Sequence, residues 1–100
     1  MTDNDRIARS FKALAHPRRA AIFQLLATHP RHAADYQFIE MQTGLRPSSL
    51  VHHLREMERC GLLRRRRTGP TMTYMLTPGD MLRCTNTARA LATQGRPAAA

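Results

Sequence analysis

The chain has 100 residues, the length of one small domain with a single hydrophobic core. Hydrophobic residues make up 42% of it and charged residues 23%, a balance that excludes a chain disordered throughout. The sequence contains sixteen lysines and arginines and seven acidic residues, so its net charge is +9, and Lys12 is the only lysine. Because arginine binds phosphates and base edges through paired hydrogen bonds, this composition points first to nucleic acid.

Other classes of protein fit the composition poorly. No apolar segment approaches the roughly 20 residues of a membrane span, and a sequence without Trp argues against a cationic helix lying on a membrane surface. The acidic, polar start predicts that the chain carries no secretory signal. Two cysteines, Cys60 and Cys84, are too few for a disulfide scaffold, so we expect a reduced, cytoplasmic setting.

Apolar spacing predicts two helices in the first third of the chain. Residues 1–5 are expected to be frayed, and a first helix follows them because four apolar residues share one helical face: Ile7, Phe11, Leu14 and Ala15. Pro17 interrupts this pattern and suits the first turn of a second helix, which runs to about Thr28. Residues 29–32 are expected to form a connector.

Two further helices are predicted in the middle of the chain. The third is short, begins after Asp35, whose side chain can cap it, and ends at Gly44. The fourth runs over residues 47–59 from a proline in its first turn, and Gly61 ends it. A tight, glycine-containing turn joins the two, which makes them a helix-turn-helix candidate.

The last third is predicted to hold a β-hairpin and a final helix. Residues 62–67 and 72–76 flank the turn sequence TGPT and are expected to pair as two strands. The final helix covers residues 79–93, and residues 94–100 have the composition of a disordered tail.

The fourth helix has an informative polar face. With Leu50, Leu54 and Met57 turned inward, four polar residues form one outward stripe: Ser48, His52, Arg55 and Arg59. Three more are expected to lie beside it: Ser49, His53 and Glu56. Hydroxyls at a helix start can approach phosphates, and imidazole and guanidinium groups further along can reach bases in a major groove. The plainer interpretation is a solvated helix surface.

Four consecutive arginines, Arg64 to Arg67, strengthen the nucleic-acid interpretation. On a two-stranded ribbon they repel one another unless a polyanion neutralises them, whereas charges that protect an edge strand are normally only one or two. A basic hairpin directly after a helix-turn-helix predicts a winged helix. The fold class is therefore mainly α with a small β-hairpin, with about five helices and a two-stranded wing in one domain over residues 6–93.

Five segments taken in order resemble the ArsR/SmtB family of winged-helix repressors. They are LAHPRR at 14–19, TGLRPSSLVHHLR at 43–55, CGLL at 60–63, RRTG at 66–69 and YML at 74–76, and the resemblance covers about residues 7–93. It implies a homodimer that binds double-stranded DNA at a short palindromic operator, and an effector that releases it. The DNA contacts expected from this resemblance and from the basic hairpin are Arg46, Ser48, Ser49, His52, His53, Arg55, Arg64, Arg65, Arg66, Arg67 and Thr68. His53 matches a common histidine of the family, for which a partly structural role is the alternative.

The first and last helices carry more apolar surface than one small core can cover, which also predicts a dimer. Its expected interface is Ile7, Phe11, Leu14, Met81, Ala88 and Leu91. Two departures from the family pattern affect helix caps. His16 replaces the usual Asp or Asn before the proline and is expected to weaken a cap, and Arg46 replaces a capping Ser and places a cation near phosphate.

The family's familiar metal sites are missing from this sequence. Asp35 and Gln37 stand where thiolates are usual, and the positions on the last helix supply at most one ligand, so we expect no metal and no cofactor, and the effector is unknown. Cys60 is expected to be a small buried group, with a thiol switch between Cys60 and Cys84, or between two copies of Cys84, as the alternative. No nucleophile, phosphate loop or paired carboxylate predicts an enzyme.

Two other functions stay open at this point. A winged helix can serve as a protein-interaction module whose basic hairpin docks on an acidic protein, and a strongly basic chain can bind RNA or DNA without sequence preference. Substitutions on the fourth helix separate these possibilities, because they should abolish only sequence-specific DNA binding.

Overall fold

The computed structural model describes residues 1–94 and contains five helices and one antiparallel sheet. The elements in chain order are α1 (Asp3–Lys12), α2 (Pro17–Ala27), β1 (Ala33–Asp35), α3 (Tyr36–Thr43), α4 (Pro47–Arg59), β2 (Leu63–Thr68), β3 (Thr71–Leu76) and α5 (Gly79–Thr93). This is the winged helix-turn-helix architecture expected from the sequence. The predicted tail, apart from Gln94, lies outside the described residues.

The N-terminal segment is more ordered than predicted. Helix α1 begins at Asp3, inside the stretch expected to be frayed, because Thr2 and Asp5 form a capping box. The Thr2 hydroxyl accepts a hydrogen bond from the Asp5 amide at 3.1 Å, and the Asp5 carboxylate accepts one from the Thr2 amide at 3.0 Å. These bonds, the backbone one first, lower the pKa of Asp5.

The two helices that start at a proline are capped differently. Before α2, the Nδ1 atom of His16 accepts a hydrogen bond from the Arg18 amide at 3.1 Å, so the expectation of a weakened cap was wrong: an imidazole can replace a carboxylate as acceptor. Before α4, Arg46 makes no side-chain cap, as its residue type predicts.

The sheet has a third strand that the sequence did not predict. Strand β1 pairs antiparallel with β3, with Ala34 opposite Tyr74 and Asp35 opposite Thr73, so the strand order is β1-β3-β2. Three residues with two alanines have little strand preference of their own. They become a strand because β3 otherwise has an unpaired edge beside them.

The core lies between α2, α3, α4 and the sheet. Its fully buried large side chains are Ile22, Leu26, Ile39, Leu50, Leu54, Met57 and Leu62. Helices α1 and α5 pack against each other beside this core, and α4 packs against β2. The position of α4 relative to the wing is therefore fixed by the core. No helix within residues 1–94 is long and apolar enough to span a bilayer.

Candidate nucleic-acid interface

Helix α4 has the bounds predicted from the sequence, and its rotation is set by its buried side chains. Leu50, Leu54 and Met57 are almost completely enclosed. The opposite face carries the predicted polar stripe: Ser48, His52, Arg55 and Arg59 are exposed or partly exposed, Ser49 beside them is partly buried, and Arg46 before the helix is exposed. Burial of one face thus presents hydroxyl, imidazole and guanidinium groups together on the other.

His53 does not lie on this stripe, contrary to the prediction that it contacts DNA. Its side chain is buried, and its Nδ1 atom accepts a hydrogen bond from Nε of Arg19 at 3.2 Å. The ring centroids of His16 and His52 lie 4.6 and 5.4 Å from its own. Burial, followed by these neighbouring groups, lowers the pKa of His53, so it holds α2 and α4 together as a neutral imidazole.

The sequence carries a signal that reveals this structural role. His53 follows Leu50 by three residues and precedes Met57 by four, a spacing that places all three on one helical face. Its imidazole therefore belongs with the inward residues, and Arg19 supplies the polar partner that burial requires.

Glu56 is also buried rather than exposed beside the stripe. Its carboxylate pairs with Arg59 at 3.0 Å and with Lys12 at 4.0 Å, the latter reaching across from α1. The charge of Arg59 is therefore partly compensated within the protein. Arg55, one turn earlier, is exposed and forms no ion pair within residues 1–94.

The wing is a regular hairpin with a two-residue tip. Thr68 pairs with Thr71, and Gly69 at φ 60° supplies the left-handed conformation that the tip requires. All four predicted arginines and Thr68 are exposed on β2. Because strand side chains alternate, Arg65 shares a face with buried Leu63 and pairs with Glu58 of α4 at 3.5 Å.

The other three wing arginines form no ion pair within the part of the chain that the structure describes; they are Arg64, Arg66 and Arg67. Sequence reasoning missed the role of Glu58, which joins α4 to the wing through Arg65. Arg67 shares the ribbon face of Arg65, and Arg64 and Arg66 lie on the opposite face. The fixed helical stripe and the uncompensated cations of the adjacent wing are each suited to a groove bounded by phosphates.

The predicted dimer residues lie on the two helices that pack beside the core and on the turn after α1. Phe11 and Leu91 are 50% and 57% exposed, and the sequence missed Leu82, which is 56% exposed. The other predicted interface residues are partly buried: Ile7, Leu14, Met81 and Ala88. Ala88 lies on α5 between Met81 and Leu91.

Neither cysteine is joined to the other, and both are buried. Cys60 packs into the core cluster, whereas Cys84 lies on α5. Within residues 1–94, no group of three or more His, Cys, Asp or Glu side chains is arranged to hold a metal ion.

No protein-family model matches the chain, but individual proteins do. It is 34% identical to an HTH-type transcriptional regulator of Mycobacterium tuberculosis, Rv0081, over 74 residues, which are 74% of this chain and 63% of that protein. The chain thus spans slightly less than two thirds of the curated relatives it matches. The crystal structure of Rv0081 aligns with a TM-score of 0.64 at 30% identity, covering 85% of this chain and 84% of that one.

Two further solved structures share the architecture. A homodimeric winged helix-turn-helix DNA-binding domain from Mycobacterium bovis, Mb0332, a possible ArsR-family regulator, aligns with a TM-score of 0.68 at 28% identity, covering 93% of this chain and 83% of that one. An ArsR-like transcriptional regulator from Rhodococcus sp. RHA1 reaches a TM-score of 0.75 at 18% identity, covering 91% and 83%. The latter likeness is one of fold alone.

Proposed function

Since the chain belongs to the ArsR family of winged helix-turn-helix transcriptional regulators, we propose that it represses transcription by binding a specific double-stranded DNA sequence. The observation that carries this proposal is the exposed stripe of α4, held in place by a buried opposite face. In this assignment α4 lies in the major groove, where the side chains of His52 and Arg55 meet base edges.

The remaining predicted contacts are assigned to the DNA backbone. The first turn of α4 offers free amide groups, the positive end of the helix dipole and the hydroxyls of Ser48 and Ser49, all suited to a phosphate. Arg46 stands just before that turn. Arg64 to Arg67 and Thr68 follow the wing alongside, where their density of charge suits phosphates better than individual bases.

We infer that the regulator acts as a homodimer on a palindromic operator. Phe11, Leu82 and Leu91 are large apolar side chains left exposed on α1 and α5, and a second copy would cover them. Because a two-fold axis repeats every contact, such a dimer reads two inverted half-sites about one helical turn apart. A cytoplasmic location and a non-enzymatic role accord with this function.

The experiment that tests the proposal selects duplexes from a randomised pool and then measures their affinity for variants. We expect an inverted repeat to be enriched and Arg55→Ala to weaken binding to it. Arg6→Ala removes the same charge from an exposed position on α1 outside the proposed DNA and dimer contacts, so it serves as the matched control and should bind normally. Enrichment of no sequence would instead identify a nonspecific nucleic-acid binder or a protein-interaction module.

A further inference from the structure

A polar cavity lies between α1, α5 and the end of α4, separate from the stripe and the wing. It has a volume of about 380 Å³. Its lining gathers three guanidinium groups, one carboxylate, one hydroxyl and one thiol, contributed by Arg6, Arg9, Ser10, Cys60, Asp80 and Arg83. None of these side chains has a part in the proposed DNA contacts.

The charges in this cavity are unevenly compensated. Asp80 pairs with Arg83, its neighbour one turn along α5. Within the described chain, neither Arg6 nor Arg9 pairs with a carboxylate, and Arg9 makes only a weak contact, 3.8 Å from its Nη1 atom to the Met1 sulfur. Two guanidinium groups therefore border one cavity without a carboxylate partner in the described chain.

A hydroxyl in the same lining adds a third group that can donate a hydrogen bond to a ligand. Ser10 is only 5% exposed, and it reaches the surface at the cavity, because among the described residues no fully buried side-chain oxygen or nitrogen lacks a hydrogen-bond partner. By contrast, the hydroxyls of Thr28, Thr87 and Thr93 each donate to the carbonyl four residues earlier. The Ser10 hydroxyl is therefore available to a ligand or to water that enters the cavity.

The floor of the cavity is the junction where α4 ends. Gly61 has a φ of +81°, and a Cβ atom there would lie 3.2 Å from Nη2 of Arg9 and 3.9 Å from Oδ2 of Asp80. Glycine at this position therefore allows side chains of α1 and α5 to approach the backbone directly. The buried side chain of Cys60 completes this end of the cavity.

We propose that this cavity binds a small molecule carrying an oxyanion, either a phosphoryl or a carboxylate group. Arg6 and Arg9 supply forked donors that match the geometry of both groups, and the Ser10 hydroxyl supplies a third donor. The carboxylate of Asp80, which pairs with Arg83, repels negative charge at its end of the cavity. The cavity therefore disfavours a ligand that places a second anionic group there.

The test is a titration of the ¹⁵N-labelled full chain with sodium phosphate, and in parallel with sodium acetate, at an ionic strength held constant with sodium chloride. We expect saturable shifts of the Ser10 and Gly61 amide resonances with at least one of the two anions. The stronger of the two binders identifies the head group. DNA is absent, so failure here is distinct from failure of the proposed function.

Three variants of the cavity and one control locate the site. Removing one charge-assisted hydrogen bond should weaken anion binding by about tenfold or more in Arg9→Gln and in Arg6→Gln, and Ser10→Ala should weaken it less. Arg31→Gln removes the same charge from the exposed connector between α2 and β1 and should leave anion binding unchanged. Arg6 is exposed, so its variant tests the site even if Arg9→Gln disturbs the fold.

Two results would overturn the proposal. One is a set of shifts that grow linearly and never saturate with either anion, which indicates an adventitious ion only. The other is an equal decrease of binding in Arg31→Gln and Arg9→Gln, which indicates general attraction of anions to a basic chain.

Discussion

Helix α4 and strand β2 both present cations to solvent, but they are anchored in different ways. Five of the thirteen residues of α4 are buried, and two of these, His53 and Glu56, are held by partners on other helices. On β2 only Leu63 is buried, and the rest of the strand is exposed. The backbone of α4, and with it the position of each exposed side chain, is thus fixed by packing, whereas the wing arginines extend from a ribbon exposed to solvent.

This difference suits the two elements to different roles in binding DNA. Reading a base edge requires a donor placed within hydrogen-bonding geometry, while attraction to phosphate depends chiefly on the number of nearby charges. We therefore assign sequence preference to α4 and general affinity to the wing.

The largest expected effect is the decrease of DNA affinity with increasing salt, which measures the contribution of phosphate contacts directly. If a dimer neutralises about six to ten phosphates, raising salt from 50 to 200 mM should weaken DNA binding by roughly 10³–10⁵-fold. Fluorescence anisotropy titrations over this range provide the slope. A flat response would mean that the wing does not meet phosphate and would favour an acidic protein as its partner.

Single substitutions then separate the two elements. Arg55→Ala should cost about 1–3 kcal/mol on the selected sequence and relax preference at one base pair in each half-site. The double variant Arg66→Ala/Arg67→Ala should weaken selected and scrambled duplexes alike and reduce the salt slope by about one for each phosphate that is no longer neutralised. Titration of both duplexes at several salt concentrations measures these effects. A wing variant that weakens only selected binding would reverse the assignment.

The anchoring of α4 should depend on pH through His53. Its pKa is lowered in the folded protein, so below the unfolded value of about 6.5 the unfolded chain binds more protons than the folded one. The free energy of unfolding should therefore fall as pH decreases from 7 to 5, as followed by urea denaturation.

The variant His53→Gln should flatten this pH dependence while lowering stability at pH 7, because it removes the titrating imidazole that Arg19 contacts. The control is His32→Asn, which removes an exposed histidine at a left-handed position that Asn tolerates. It should keep the slope of the parent protein. Identical slopes in all three proteins would show that His53 does not link pH to folding.

The smallest expected effect is that of a substitution at Arg46, which should increase the stability of the protein and decrease its affinity for DNA. Arg46→Ser supplies the capping hydroxyl that α4 lacks and should raise the free energy of unfolding by about 1 kcal/mol. The same change removes a cation beside the first turn, so DNA affinity and salt slope should both decrease. Chemical denaturation and anisotropy on the same sample measure the two effects; a gain in both would remove Arg46 from the phosphate contacts.

Local signals in the chain predicted the boundaries of α4 and α5, and they placed the hairpin to within one residue: its strands are Leu63–Thr68 and Thr71–Leu76, not 62–67 and 72–76, because Thr68 and Thr71 pair across a two-residue tip. A proline in the first turn, a glycine after the last and apolar residues at helical spacing act within a few residues of one another, so they can be read without knowing the fold. The exposed stripe follows from the same spacing, because the inward positions determine the outward ones. The family was likewise recognisable from short segments in a fixed order.

Other features depend on residues that are distant in the sequence. Ala33–Asp35 is a strand only because β3 lies beside it. Spacing turns His53 inward, but only the fold supplies Arg19 as the hydrogen-bond partner of its imidazole. The cavity of Arg6, Arg9 and Ser10 likewise forms only where α1, α5 and the end of α4 converge. Local spacing therefore determines where each element begins and which face it buries. Pairing and burial across the fold decide which polar groups are used internally and which are left for a ligand.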